Sequence, residues 1–68
     1  MNHFHENLTY YRKTMNMTQL DLAQEIHVTR QTISNYENNT RTCELDVLIG
    51  LSEVLHVSLD HLIKYPHP

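Results

Sequence analysis

Apolar residues recur along this chain in short helical stripes separated by polar corners. Phe4, Leu8, Tyr11 and Met15 fall at intervals of four, three and four residues, which predicts a first helix from Met1 to Lys13 with one buried stripe. Tyr10 lies off that stripe, at its edge. Asn16 reads as the left-handed stop, and Met17 as an apolar staple ahead of a cap at Thr18. Thr18 with Asp21 three residues on forms a capping box that uses Asp in place of Glu. A second helix follows from Gln19 to Ile26, with Leu22, Ala23 and Ile26 inward and Leu20 off the buried arc.

The pattern breaks at His27-Val28, where a positive φ is expected, and Thr29 caps a third helix from Arg30 to Glu37 with Ile33 and Tyr36 inward. The polar loop Asn38 to Thr42 leads to a fourth helix, from Cys43 or Glu44 to Leu55. Its inward residues are expected to be Leu45, Leu48, Ile49, Ser52 and Leu55. Gly50 has no sequence-level explanation other than close packing against another chain, since a mid-helix glycine costs roughly 1 kcal/mol relative to Ala. Val47, Leu51 and Val54 make this helix apolar over more than one face, which suggests a second buried surface. His56 ends it, Val57 packs inward, and Ser58 caps a final helix through Ile63. The tail from Lys64 to Pro68, with Pro66 and Pro68, is expected to be extended or mobile.

The fold class is therefore all-α, a single five-helix domain over residues 1–68 with its core between about residues 4 and 63. The expected core comprises Leu8, Tyr11, Leu22, Ala23, Ile26, Val28, Ile33, Tyr36, Leu45, Leu48, Ile49, Leu55, Val57, Leu59 and Leu62. At 68 residues such a core is near the lower limit of self-sufficiency. Two short helices joined by a tight turn cannot bury a face alone, so the second and third read as a helix-turn-helix leaning on its neighbours. The outward side of the third carries Arg30, Gln31, Ser34 and Asn35. Arg, Gln and Asn form paired hydrogen bonds to base edges, which points to DNA recognition. The unpaired N–H groups opening the second helix suit a phosphate.

Charge complicates this picture. Five basic and eight acidic residues leave a net charge of −3, where a DNA-binding domain usually carries a basic footprint. Glu44, Asp46, Glu53 and Asp60 fall in the C-terminal half, which can point away from DNA, whereas Glu6, Asp21 and Glu25 lie nearer. Only Arg30 and Arg41, with Lys13 as a lesser candidate, are placed for DNA. A protein-interaction module, an antirepressor or a partner subunit of another regulator, stays open as the alternative. Asp21 and Glu25 breaking the stripe around Gln19, Arg30, Asn35 and Arg41 would favour it.

Other chemistry is thin. The lone Cys43 permits no intramolecular disulfide and fits a reducing cytosol; with no signal-peptide pattern and no membrane-length apolar run, a cytoplasmic protein is expected. The six histidines have no structural-zinc spacing, so no metal and no cofactor are expected; their titration could turn the protein basic below roughly pH 6. No nucleophile pairs with a base and no glycine-rich phosphate loop is present, which sets an enzyme aside.

The segments TQLDLAQEIHVTRQTISNYENN and LSEVLHVSLDHLI resemble the Cro/C1-type (Xre-like) helix-turn-helix family of phage repressors and small bacterial regulators, over about Phe4 to Ile63. The resemblance implies a lambda-repressor-like domain in which Ala23, Val28 and Ile33 form the contact between the two central helices. It assigns base contacts to Arg30, Gln31, Ser34 and Asn35, and phosphate contacts to Gln19, Thr29, Asn38, Asn39, Thr40 and Arg41. It implies a partly buried ion pair between Arg12 and Glu37. It also implies a homodimer through the last two helices, with Val47, Leu51, Val54, His61 and Ile63 as candidate contacts. Family glycines at turns are here Asn16, His27, Asn39 and His56, and the usual proline before the fourth helix is Cys43. The function implied is a repressor on an inverted-repeat operator in double-stranded DNA.

Overall fold

Short polar side chains start most of the helices by taking up backbone N–H groups that have no partner within the helix. A computed structural model describes residues 2–68 and shows α1 at Phe4–Thr14, α2 at Gln19–Glu25, α3 at Arg30–Glu37, α4 at Leu45–Leu55 and α5 at Leu59–Ile63. The Thr18 hydroxyl accepts from the Asp21 amide at 3.0 Å while the Asp21 carboxylate accepts from the Thr18 amide at 2.9 Å, a complete capping box. Thr29 and Ser58 cap α3 and α5 the same way, each at 3.1 Å. The expected start of the first helix at Met1 lies outside the described residues.

α1 to α4 all end in one motif. Asn16, His27, Asn39 and His56 each take a φ between 56° and 60°. After each, the next residue's amide reaches back five positions: Met17 to Arg12, Val28 to Ala23, Thr40 to Asn35 and Val57 to Ser52, at 2.9 to 3.2 Å. This Schellman geometry satisfies carbonyls at each helix end and turns the chain sharply. The expected positive φ at Asn16 and His27 is thus observed.

Leu8, Leu22, Ala23, Ile33, Leu51 and Leu62 are fully buried, and Phe4, Tyr36 and Leu55 nearly so. Tyr11, Ile26, Val28, Leu48 and Val57 pack half-buried against them. Leu59 is only half-buried and stands outside that cluster. Met15, expected on the inner stripe of α1, is exposed, and polar Asn7 and Arg12 share the buried side with Phe4 and Leu8. Asn7 donates through Nδ2 to the carbonyls of His61, Leu62 and Tyr65 at 3.1, 3.1 and 2.7 Å, so it fastens the end of α5 to α1. The His3 amide adds a bond to the Ile63 carbonyl at 2.7 Å. The tail is held as well: the His67 ring stacks on Tyr10 with centroids 4.4 Å apart and planes 8° apart.

The inward face of α4 differs from expectation. Leu45 and Ile49 are 66% and 42% exposed, whereas Leu51, expected at a dimer interface, is fully buried. The helix is rotated by roughly one residue, about 100°, so that Val47, Leu48, Leu51, Val54 and Leu55 face the core. This stripe is wholly apolar. The alternative would have turned Ser52 inward; its hydroxyl instead donates to the Ile49 carbonyl of its own helix. Gly50 faces Ile26 of the same chain, and a Cβ there would meet Ile26 Cγ2 at an ordinary 3.7 Å. Among the described residues, no helix is long and apolar enough to cross a membrane.

Candidate nucleic-acid interface

The start of α2, the exposed side of α3 and the loop after it carry the side chains singled out for DNA. Arg30 and Gln31 project from the first turn of α3 and are exposed, and that turn contains no acid. Ser34 and Asn35, one turn on, are half-exposed, while Thr29, Asn38, Asn39, Thr40 and Arg41 are exposed. Gln31 Nε2 donates to Asn35 Oδ1 at 3.0 Å, which leaves the Asn35 amide nitrogen free and fixes the two side chains side by side.

Several of these groups have local partners. Thr29 Oγ1 lies 2.8 Å from Thr32 Oγ1 besides capping α3. Asn38 Nδ2 donates to Ser34 Oγ at 3.3 Å, and the Thr40 hydroxyl donates to the Asn35 carbonyl at 3.1 Å. Thr40 therefore shapes the loop, and its hydroxyl has to leave that carbonyl to reach a phosphate. Arg41 lies over the Tyr36 ring at 5.8 Å and donates to Glu44 at 3.4 Å. Glu44, placed in the half that can point away from DNA, thus sits against one of its few cations, across the loop that leads into α4. Tyr36 also donates its hydroxyl to Glu44 at 3.2 Å; burial, then the nearby Cys43 and Glu44, pushes its pKa up to about 12. Burial raises the Cys43 thiol to about 11, which favours its protonated form.

Behind the face, Arg12 Nε and Nη2 grip the two oxygens of Glu37 at 2.7 and 3.2 Å, with side chains only 10% and 6% exposed. Arg12 Nη1 also donates to the Met17 carbonyl at 2.8 Å. Burial by itself would raise the Glu37 pKa; hydrogen bonds from Arg12 and Gln19 and the charge of Arg12 outweigh it and hold the carboxyl below its ordinary value. Gln19 donates to Glu37 at 3.1 Å and accepts from Arg30 at 3.2 Å, so it bridges the ion pair and the exposed face. That link between Gln19 and its two charged neighbours was not legible from residue spacing.

Of the remaining dimer candidates, Val47 and Val54 line a groove with Glu25, Ile26 and His27, and Ile63 lines another with Asn2, Leu59 and Lys64. His61 is exposed, paired with Ser58 and set edge-on to Tyr65. Among the described residues, no three His, Cys, Asp or Glu side chains gather to hold a metal.

The helix-turn-helix family profile matches residues 8–62. The chain belongs to the Cro/C1-type helix-turn-helix family of transcriptional regulators. It is 39% identical over 61 residues to an uncharacterized HTH-type transcriptional regulator, YqaE, of Bacillus subtilis, spanning 90% of this chain and 53% of that protein. Among solved structures it resembles a transcriptional regulator from Listeria innocua, with TM-score 0.88 and 25% identity over all of this chain and 64% of the other. It also resembles the P22 c2 repressor in complex with a synthetic operator, with TM-score 0.85 and 28% identity over 90% of this chain and 92% of that one. This helix-turn-helix chain thus spans about half the length of the Bacillus regulator.

Proposed function

We propose that this helix-turn-helix protein binds double-stranded DNA in a sequence-specific manner and represses transcription from an inverted-repeat operator as a homodimer. The reading is carried by Arg30 and Gln31, exposed together on an acid-free first turn of α3. The likeness to the P22 c2 repressor, a protein solved in complex with a synthetic operator, supports it. In this reading Arg30, Gln31, Ser34 and Asn35 meet base edges in the major groove, while Gln19, Thr29, Asn38, Asn39 and Arg41 hold phosphates. Thr40 shapes the loop that presents them. Leu45 and Ile49, one turn apart and exposed on α4, are the proposed dimer contact in place of buried Leu51. A two-fold pair sets its recognition helices about 34 Å apart, on successive turns of one DNA face.

Selection from random duplex, followed by titration of variants at two salt concentrations, tests this reading. Gln31→Ala should cost roughly 1–3 kcal/mol and relax one position of each half-site. Arg41→Ala should weaken binding to all sequences and flatten the salt dependence, less than an unpaired arginine would because Glu44 already offsets its charge. Failure to enrich any duplex at low salt, with the folded protein instead capturing another protein, replaces this reading with that of an interaction module. Sedimentation as a pure monomer, free and on a palindromic duplex, removes the dimer.

A further inference from the structure

One unbroken hydrogen-bonded chain runs from the interior to the reading face: Arg12, Glu37, Gln19, Arg30. Its polarity is forced at both ends. A carboxylate only accepts and a guanidinium only donates, so the Gln19 amide between them can stand one way only. Its nitrogen faces Glu37 and its oxygen faces Arg30; the flipped amide would set oxygen against carboxylate and NH2 against guanidinium. Glu37 is in turn held in place, since Arg12 binds both of its oxygens and is itself tied to the Met17 carbonyl.

We propose that Glu37 is a positioning residue for base recognition, which aims Arg30 through Gln19 before DNA arrives. The inference rests on the DNA-binding reading above and extends it. Glu37 takes one Gln19 Nε2 hydrogen and leaves the other for a phosphate. Gln19 takes one Arg30 N–H and leaves the rest of the fork for a base edge. The long side chain of Arg30, otherwise free to sample many rotamers, is partly ordered in the unbound protein, so less freedom is lost on binding. Glu37 therefore acts on specificity without touching DNA.

The test separates aiming from fastening. Arg12→Met/Glu37→Met replaces the buried pair by apolar side chains of similar length, an exchange that folds often tolerate, and removes the anchor of Gln19. Dissociation constants are measured for the selected duplex and for duplexes altered at the base pairs read by Arg30 and by Gln31, each identified with its own alanine variant. Discrimination at the Arg30 position should fall roughly three- to tenfold, while that at the Gln31 position holds. Gln19→Met should lose the same discrimination, and combining it with the methionine pair should lose no more. If both positions weaken equally, or neither does in the folded variant, Glu37 is a fastener only and the proposal is overturned. Should the methionine pair not fold, NMR relaxation of the Arg30 side chain in unbound wild type and Gln19→Met decides. Restriction lost in the variant supports aiming, and a freely mobile Arg30 in wild type overturns it. If wild type enriches no duplex at all, the DNA-binding reading fails first and takes this proposal with it; enrichment with intact discrimination in the variants sinks the positioning role alone.

Discussion

Gly50 of α4 faces Ile26 across a gap that a methyl group would fill: a Cβ built there stands 3.7 Å from Ile26 Cγ2. Neither a positive φ nor a close backbone approach requires glycine at this position. Gly50→Ala should therefore stabilise the domain by about 0.5–1 kcal/mol, from helix propensity and a less flexible unfolded chain. Thermal denaturation checks it. A lowered Tm would mean that the groove between α2 and α4 is tighter than the geometry indicates.

The rotation of α4 makes two leucines, six residues apart, respond oppositely. Leu51→Ala opens a cavity in the core and should cost about 2–5 kcal/mol. Leu45→Ala, at a 66% exposed position, should change monomer stability by no more than about 0.5 kcal/mol. Urea titrations at a concentration low enough to keep the chain monomeric compare them directly. Equal losses would restore the expected inward face.

Asn7 is the one donor that three carbonyls at the end of α5 share. Asn7→Ala strands them in or near the interior and should cost about 1–3 kcal/mol. Hydrogen exchange should show the α5 amides losing protection before those of α2 and α3. Uniform loss across the chain would argue that Asn7 matters only through packing.

Acid should loosen the domain through Glu37. Its folded pKa lies below the ordinary 4.5 because Arg12 and Gln19 favour the charged form over the opposing effect of burial. Below 4.5 the unfolded chain takes up a proton that the folded chain resists. The stabilisation is thus fully present above that pH and disappears as pH falls through the folded value. Glu37→Gln should be less stable at pH 7 and show a shallower loss between pH 5 and pH 2, read from unfolding free energies across that range. Asp21 and Glu44 keep depressed values in both proteins and leave the difference to Glu37. Superimposable slopes would remove Glu37 from the acid response.

Local chemistry was readable wherever one residue decides an outcome within its own turn. Thr18, Asp21, Thr29 and Ser58 mark helix starts, and Asn16 and His27 mark corners, because caps and left-handed turns depend on neighbours a few positions away. α4 was misread because Leu45, Val47, Leu48, Ile49, Leu51, Val54 and Leu55 support two overlapping stripes. Ser52, the one polar residue on the expected inward stripe, was the signal that could have decided between them. Asn7 and Arg12 were harder. A polar residue on a buried stripe becomes sensible only once its distant partners are known, and those of Asn7 lie more than fifty positions away. The Arg12–Glu37 pair was available through family resemblance, and its extension to Gln19 and Arg30 needed the side-chain geometry.

The four helix-ending corners give this small domain something like a reserve of mutational tolerance. Each holds a side chain in a left-handed conformation that glycine would adopt without steric cost, at roughly 1–2 kcal/mol per position before the flexibility gained by the unfolded chain is subtracted. Asn16 and His56 do so outside the residues assigned to DNA contact. A variant with an altered α3, destabilised by the usual margin of a single substitution, can regain part of that loss by a change to glycine at either corner, away from the residues assigned to DNA contact. The surface proposed to read DNA and the bends that hold the scaffold can therefore change separately, which suits a regulator whose target sequence drifts while its fold stays the same.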